Sequence, residues 1–283
     1  MIRLSSVLLS AALLLPLGPA ALATPTAIEL HVYPLFSLKL RQAWSHRYQE
    51  LLLKHAGVNT VFKSASSIEE LILNAQTPTP KLIASPMHVA LYLQKNYAYQ
   101  LVMEQVYTAK WVLISKQETT FDGTSSLNGQ CIAIPDRLSS ISTTALAAIN
   151  NTTAPDTHFQ VIDKNTQDGS LFSVINNECA FAIVSDLLLE KALRSSLKNI
   201  KIDWQGDEQA LRMVFSLSPQ TPAPIKEVIA STLLSIGHDH QLTGSFLSPP
   251  ARAINAQTNS VLLDDYSLQA LHAMEQQLQA KQP

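Results

Sequence analysis

The chain has 283 residues, with 20 Lys and Arg against 22 Asp and Glu, a formal net charge of −2 and 46% hydrophobic residues. That length holds two modest domains or one large one, and a near-neutral balance with no basic cluster excludes the electrostatic footprint of a nucleic-acid binder or of a protein docked on an anionic membrane. Only 8 glycines occur, none in a G-x-G-x-x-G or G-x-x-x-x-G-K pattern, so no nucleotide cofactor is expected.

At the N-terminus, Arg3 precedes an apolar run from Val7 to Leu17 and then Ala21-Leu22-Ala23. One cation, a short apolar stretch and a small-residue site predict a cleavable secretory signal peptide over residues 1–23. No Cys follows to carry a lipid anchor, and no later run is long enough to span a bilayer. A periplasmic protein without stable membrane insertion is expected, as a monomer.

Ile28 to Tyr33 alternates and then meets Pro34, which predicts a first strand ending in a loop. Apolar and aromatic residues recur at three and four from Leu38 to His55, a helix closed by Gly57. Next come a strand at Asn59–Lys63, a helix at Ser67–Gln76 with Glu69 and Glu70 in its first turn, a strand at Lys81–Ser85 and a helix at Met87–Lys95. Trp111–Ser115 is a strand that opens a second β/α series. Its parts are strand Cys131–Ile134, helix Ser142–Asn150, strand Phe159–Ile162, helix Ser170–Asn176, strand Cys179–Val184 and helix Leu187–Arg194. Strand Leu211–Leu217, helix Ile225–Gly237, a Pro-rich LSPP loop and an amphipathic helix Ser267–Ala280 complete the chain.

Strands alternating with helices over short connections predict an α/β fold with mainly parallel sheets. Two such series, joined at Trp111–Ser115 and recrossed near Leu211–Leu217, predict two lobes: residues 24–112 with 213–283, and residues 113–212. Ligands in open α/β sheets bind beyond the carboxyl ends of the strands, so a cleft between the lobes is the expected site.

The segment from Leu127 to Ala148 carries the strongest chemical signal. A short strand breaks at Pro135 and gives way to Ser139, Ser140 and Ser142 just before an Ala-rich helix. The first N–H groups of a helix lack intrahelical partners, and serine hydroxyls add donors without charge, so this turn suits an anion. The same residues also serve as an ordinary helix cap. Cys131 and Cys179 open two apolar runs. On neighbouring parallel strands their sulfurs would share one end of the sheet, which fits either a disulfide or two buried thiols.

Other chemistry is weaker. His238-Asp239-His240 has metal-ligand types, but its place after Gly237 at a helix end fits solvated residues, and no metal site is assigned. No G-x-S-x-G, H-E-x-x-H or C-x-x-C motif is present, so an enzyme is not expected. Asp136 reads as a turn residue. Tyr107 and Trp111 flank the first crossing, as cleft lining or as core.

SLNGQCIAIPDRLSSIS and TQDGSLFSVINNECAFAIVS resemble the strand, serine/threonine loop and S-H-D-A…V-x-N-G-E-x-D-A segments of the phosphate, phosphite and phosphonate solute-binding proteins of ABC transporters. LSPQTPAPIKEVIASTLLSI is similar to a C-terminal passage of the same family. The resemblance implies a two-lobed periplasmic-binding-protein-like fold and an oxyanion held by Ser139 and Ser140, with Ser142 nearby. It also implies contacts from Tyr33, Ser85 and His88 in the first lobe and from Thr166 and Gln167 in the second. Two departures stand out: the family's His is Gln167 here, and the carboxylate of E-x-D-A falls on Ala180. Without that carboxylate to balance an ammonium group, the expected ligand is a plain small oxyanion passed to an ABC transporter permease. A sensory protein of the same fold, signalling to a membrane receptor such as a histidine kinase, is the alternative.

Overall fold

In the computed structural model the described residues are 27–35, 37–192, 194–238, 251–254 and 265–281. The expected signal peptide and the LSPP loop lie outside them. The first half runs β1 (Ile28–Val32), α1 (Leu38–Ala56), β2 (Thr60–Lys63), α2 (Ile68–Ala75), β3 (Lys81–Pro86), α3 (Met87–Tyr97), β4 (Gln100–Ala109) and β5 (Trp111–Lys116). It continues through β6 (Cys131–Ile134), α4 (Ser140–Thr152), β7 (Gln160–Asp163), α5 (Gln167–Ile175), β8 (Phe181–Ser185), α6 (Asp186–Lys191), α7 (Arg194–Leu197) and β9 (Ile200–Gln205). The last elements are β10 (Gln209–Leu217), α8 (Ala223–His238), β11 (Ala251–Ala253) and α9 (Asp265–Ala280).

The strands form two sheets. One has the order β11-β4-β10-β3-β1-β2 and the other β7-β6-β8-β5-β9. β1 pairs in parallel with β2 and β3, and β6 with β7 and β8, as expected of β/α units. The long strand β10, however, runs antiparallel to both β3 and β4, and β5 runs antiparallel to β8 and β9. Each sheet is therefore mixed. The chain passes between sheets twice, at Lys110 and at residues 206–208.

Three strands are missing from the sequence reading: the short β11 and, each with a physical reason, β4 and β9. β4 carries Glu104 and Gln105 in its middle, both about 1% exposed, and Glu104 accepts from Arg212 Nη1 on β10 at 2.9 Å. Buried polar residues erase the apolar alternation that marks a strand. On β9 the polarity is inverted, since Ile202 is half exposed while the Asp203 side chain is buried.

The helix starts also shift toward the N-terminus because their caps are polar. Ser139 Oγ accepts from Ser142 N at 3.1 Å, so α4 begins at Ser140 and not at Ser142. Thr166 Oγ1 accepts from Gly169 N at 3.0 Å, which starts α5 at Gln167 instead of Ser170. Gly57 closes α1 with φ 65°, a conformation that costs little without a Cβ, and its N–H reaches Leu53 O at 3.1 Å.

The first sheet packs Leu30, Leu82 and Phe215 against α1 and α8, where Trp44, Tyr48 and Phe215 form an aromatic cluster with ring centroids 4.3 to 5.7 Å apart. In the second sheet, Leu113, Ile134 and Phe181 pack under α4. β6 and β8 are parallel neighbours, which brings Cys131 and Cys179 together at one end of the sheet. The two form a disulfide with a Cα–Cα distance of 4.9 Å.

Candidate ligand-binding site

A cleft of about 430 Å³ lies where the two sheets face each other. From the first sheet and its helices come Tyr33, Arg41, Trp44, His88, Tyr107 and Met213; Ser140 and Ile141 of α4 and Leu187 of α6 come from the other side. Tyr107 thus lines the cleft, its phenol pushed up to about 12 by burial. Trp111 belongs to the core instead, edge-on to Trp204 with centroids 5.2 Å apart.

The serine turn reaches this cleft through only one of its three hydroxyl residues. Ser140 lines the space, while Ser139 Oγ donates to Ser142 Oγ at 2.8 Å and accepts the Ser142 N–H. Ser139 and Ser142 therefore hold the turn in shape, and α4 presents its first residues, Ser140 and Ile141, to the cavity. Those positions carry the N–H groups that a helix leaves without intrahelical acceptors.

On the opposing side, the end of β3 leads directly into α3. Ser85 is fully buried, and its Oγ has no hydrogen-bond partner among the described residues. His88 follows in the first turn of α3, 2% exposed, with its Nε2–H donating to Leu138 O at 3.0 Å. Burial drives its pKa down to about 4, opposed by that bond, so the ring is neutral near pH 7. Tyr33, 4% exposed, sits just beyond β1 with its N–H on Ala84 O at 2.9 Å.

Thr166 and Gln167 stand elsewhere in the fold. Thr166 caps α5, and the Gln167 Oε1 accepts from Ser185 N at 2.7 Å and from Ser185 Oγ at 2.6 Å. His238 ends α8, and Asp239-His240 lies outside the described residues.

Sequence reasoning did not foresee the residues that tie the lobes together. Asp136 Oδ2 accepts from Ile68 N, the first residue of α2, at 2.9 Å, while its Oδ1 accepts from Leu138 N at 2.8 Å. Burial raises the Asp136 carboxyl above the usual range, and the two N–H donors act against that rise. Asp168 Oδ2 accepts from Ser37 N, the N-cap of α1, at 2.7 Å, and Gln167 N–H reaches Leu35 O at 3.1 Å. Each carboxylate comes from the second lobe and each helix N-terminus from the first. Asp136 was legible only as a turn residue, because its partner lies 68 positions away in the chain.

Two facing α/β lobes, joined by two crossings and enclosing a cleft, define a bilobal ligand-binding protein. Residues 48–274 match the family model described as ABC transporter, phosphonate, periplasmic substrate-binding protein, and the chain belongs to that family, which is one of binding proteins and not of enzymes. No curated protein sequence matches it.

Solved structures share the fold at low identity. PhnD1 from Prochlorococcus marinus in complex with methylphosphonate superposes with a TM-score of 0.73 at 10% identity, covering 90% of this chain and 99% of that one. A binding protein component of an ABC phosphonate transporter from Pseudomonas aeruginosa gives 0.70 at 10% identity, over 91% and 97%. A Xanthomonas citri protein bound to ATP gives 0.66 at 10% identity, over 88% and 98%. No helix among the described residues is long and apolar enough to cross a membrane.

Proposed function

We propose that the protein is the exported, periplasmic component of an ABC transporter and takes a phosphonate or a related small oxyanion in the cleft between its lobes. The observation that carries this reading is the meeting of the α4 N-terminus, at Ser140 and Ile141, with Tyr33, Arg41 and His88 across one cavity. Helix N–H groups and a cation favour negative charge there, and neutral hydroxyl and phenol donors add hydrogen bonds that an oxyanion strengthens. Methylphosphonate in the Prochlorococcus marinus structure supports the choice of ligand class.

The lobes divide and hinge at the two crossings, Lys110 and residues 206–208, a few residues before the expected boundaries at 112 and 212. At the first crossing Lys110 N–H donates to Asp186 Oδ1 at 2.9 Å, and Asp186 N–H returns to Lys110 O at 3.0 Å. Among the sequence-predicted contacts, Ser140 and Tyr33 face the ligand as donors, while His88 lines the cleft with its one N–H held on Leu138 O. Ser139 and Ser142 shape the turn that carries Ser140, whereas Ser85, Thr166 and Gln167 are not among the residues that line the cleft.

The test is thermal and chemical unfolding of residues 24–283 with methylphosphonate, phosphite and phosphate. A ligand at a hundred times its Kd adds about 2.7 kcal/mol of stability. A shift with at least one of the three, reduced in Tyr33→Phe, supports the reading; no shift with any overturns it. Release of the chain by osmotic shock of the native host tests the location.

A further inference from the structure

We infer that the cleft holds, beside its anion end, an apolar subsite for the carbon body of the ligand, so that the preferred phosphonates carry a ring or a medium-length alkyl chain. This rests on the cleft being the ligand site proposed above. At about 30 Å³ for each water-sized group, 430 Å³ has room for about fourteen of them, and a phosphonate head with three oxygens fills a minor part. The remaining space is walled by Val32, Leu40, Trp44, Met87, Leu187 and Leu211.

The β4–β10 ladder gives the cleft its length. β10 and β4 line the cleft over Ala210–Met213 and Gln105–Thr108, four residues each, which is about 10 Å of strand. At the Met213 end the neighbour is Pro86, which leads into His88 and, through Leu138, to the α4 N-terminus. At the Ala210 end the chain turns toward Lys110 and the α6 start, where Leu187 and Leu211 line the cleft beside Thr108 and Glu190. A bare oxyanion held at the first end leaves the second as an apolar space filled with water. An alkyl or aromatic body displaces water from the apolar walls of the cleft, which outweigh the few polar groups of that end, Thr108 and Glu190 among them, and such displacement is the usual source of affinity in such pockets.

The experiment is a calorimetric titration of the mature chain with methyl-, propyl-, hexyl- and phenylphosphonate, and with hexanoate as the same body on another head. Each methylene taken from water is expected to tighten binding about fourfold, so the five extra methylenes of hexyl- over methylphosphonate gain up to about a thousandfold. The partly exposed cleft residues Leu40 and Leu187 supply the variants Leu40→Gln and Leu187→Gln, which are expected to reduce the hexyl-to-methyl affinity ratio. Equal or weaker binding of the hexyl and phenyl compounds overturns the subsite while leaving the phosphonate reading intact. Hexanoate binding as tightly as hexylphosphonate upholds the subsite and sinks the phosphonate head. An unchanged ratio in both variants overturns the placement of the carbon body along the β4–β10 ladder.

Discussion

His88 offers the sharpest quantitative test, because it is buried, neutral and bonded from one lobe to the other. Its pKa falls from an ordinary 6.5 to about 4 in the folded protein, and burial is the cause. The folded state therefore binds fewer protons than the unfolded chain below pH 6.5, and stability follows that difference. The contribution is fully present above the ordinary value and is lost as pH falls from 6.5 toward 4. Between pH 7 and pH 5 the loss is about 2 kcal/mol, and it approaches about 3 kcal/mol in stronger acid.

His88→Gln keeps a donor for Leu138 O and removes the proton site. Urea unfolding of both proteins at pH 7 and pH 5 reads the difference. Wild type should lose about 2 kcal/mol more than the variant, a midpoint change of roughly 1 M at a urea slope of 2–3 kcal/mol/M. Two other groups titrate nearby or alike. Burial lowers the pKa of His31, which adds to the loss in acid, and raises that of Asp136, which opposes it. Both are common to the two proteins and cancel in the comparison. Equal acid losses in wild type and His88→Gln would refute the reasoning.

Three further outcomes follow from the geometry. Replacing Cys131 and Cys179 together by Ser reopens a connection of 48 residues, which is expected to lower stability by about 4 kcal/mol on the chain-entropy account, measured by urea unfolding with and without reductant; a loss under 1 kcal/mol in oxidising buffer would contradict it. Gly206 lies flush against the Trp111 indole at the second crossing, so the Cβ of Gly206→Ala collides with a ring already packed on Trp204. A destabilisation of about 1–3 kcal/mol is expected, with a change in near-ultraviolet circular dichroism from the two indoles. Asp168→Ala removes the carboxylate that accepts from Ser37 N, a cap contact worth about 1 kcal/mol, and should enlarge the radius of gyration by small-angle scattering, with Asp168→Asn recovering part of the closed form.

The β/α order of both lobes could be read from the sequence because most of its signals are local. Ser67 before Glu69 and Glu70, Gly57 after an apolar period and Pro135 after CIAI each fix an element end without distant partners. Antiparallel β10 could not be oriented that way, since its direction depends on pairing with β3 and β4 more than a hundred positions earlier. β4 was hidden by Glu104, whose burial makes sense only once Arg212 is beside it. The serine turn was legible as a helix start, yet which hydroxyl faces the cleft was not. Ser139 and Ser142 bond each other, and that choice is made by the cap geometry of α4. Gln167 shows the same limit. Its likeness to a family position suggested ligand contact, while its Oε1 is held by Ser185, the last residue of β8 and the N-cap of α6.

The reciprocal arrangement of carboxylates and helix ends bears on how the cleft works. Asp136 and Asp168 both leave the second lobe to meet N-termini of the first, and His88 returns one bond in the other direction. The helix dipole makes each N-terminus a favourable place for a carboxylate, whether it comes from the protein or from a ligand. Two of the first lobe's helix starts are thus answered by the protein's own acids, whereas α4 turns its first residues to the cavity. On the proposed reading, closure is stabilised by the chain itself at the edges and left to the ligand at the centre. A ligand shifts the lobes only by the difference in its contacts between open and closed forms, so one held by α4 alone gives no closing force. In the proposed site the closing force comes from ligand groups that also touch the first lobe, through Tyr33 or the apolar wall of α1 at Leu40 and Trp44.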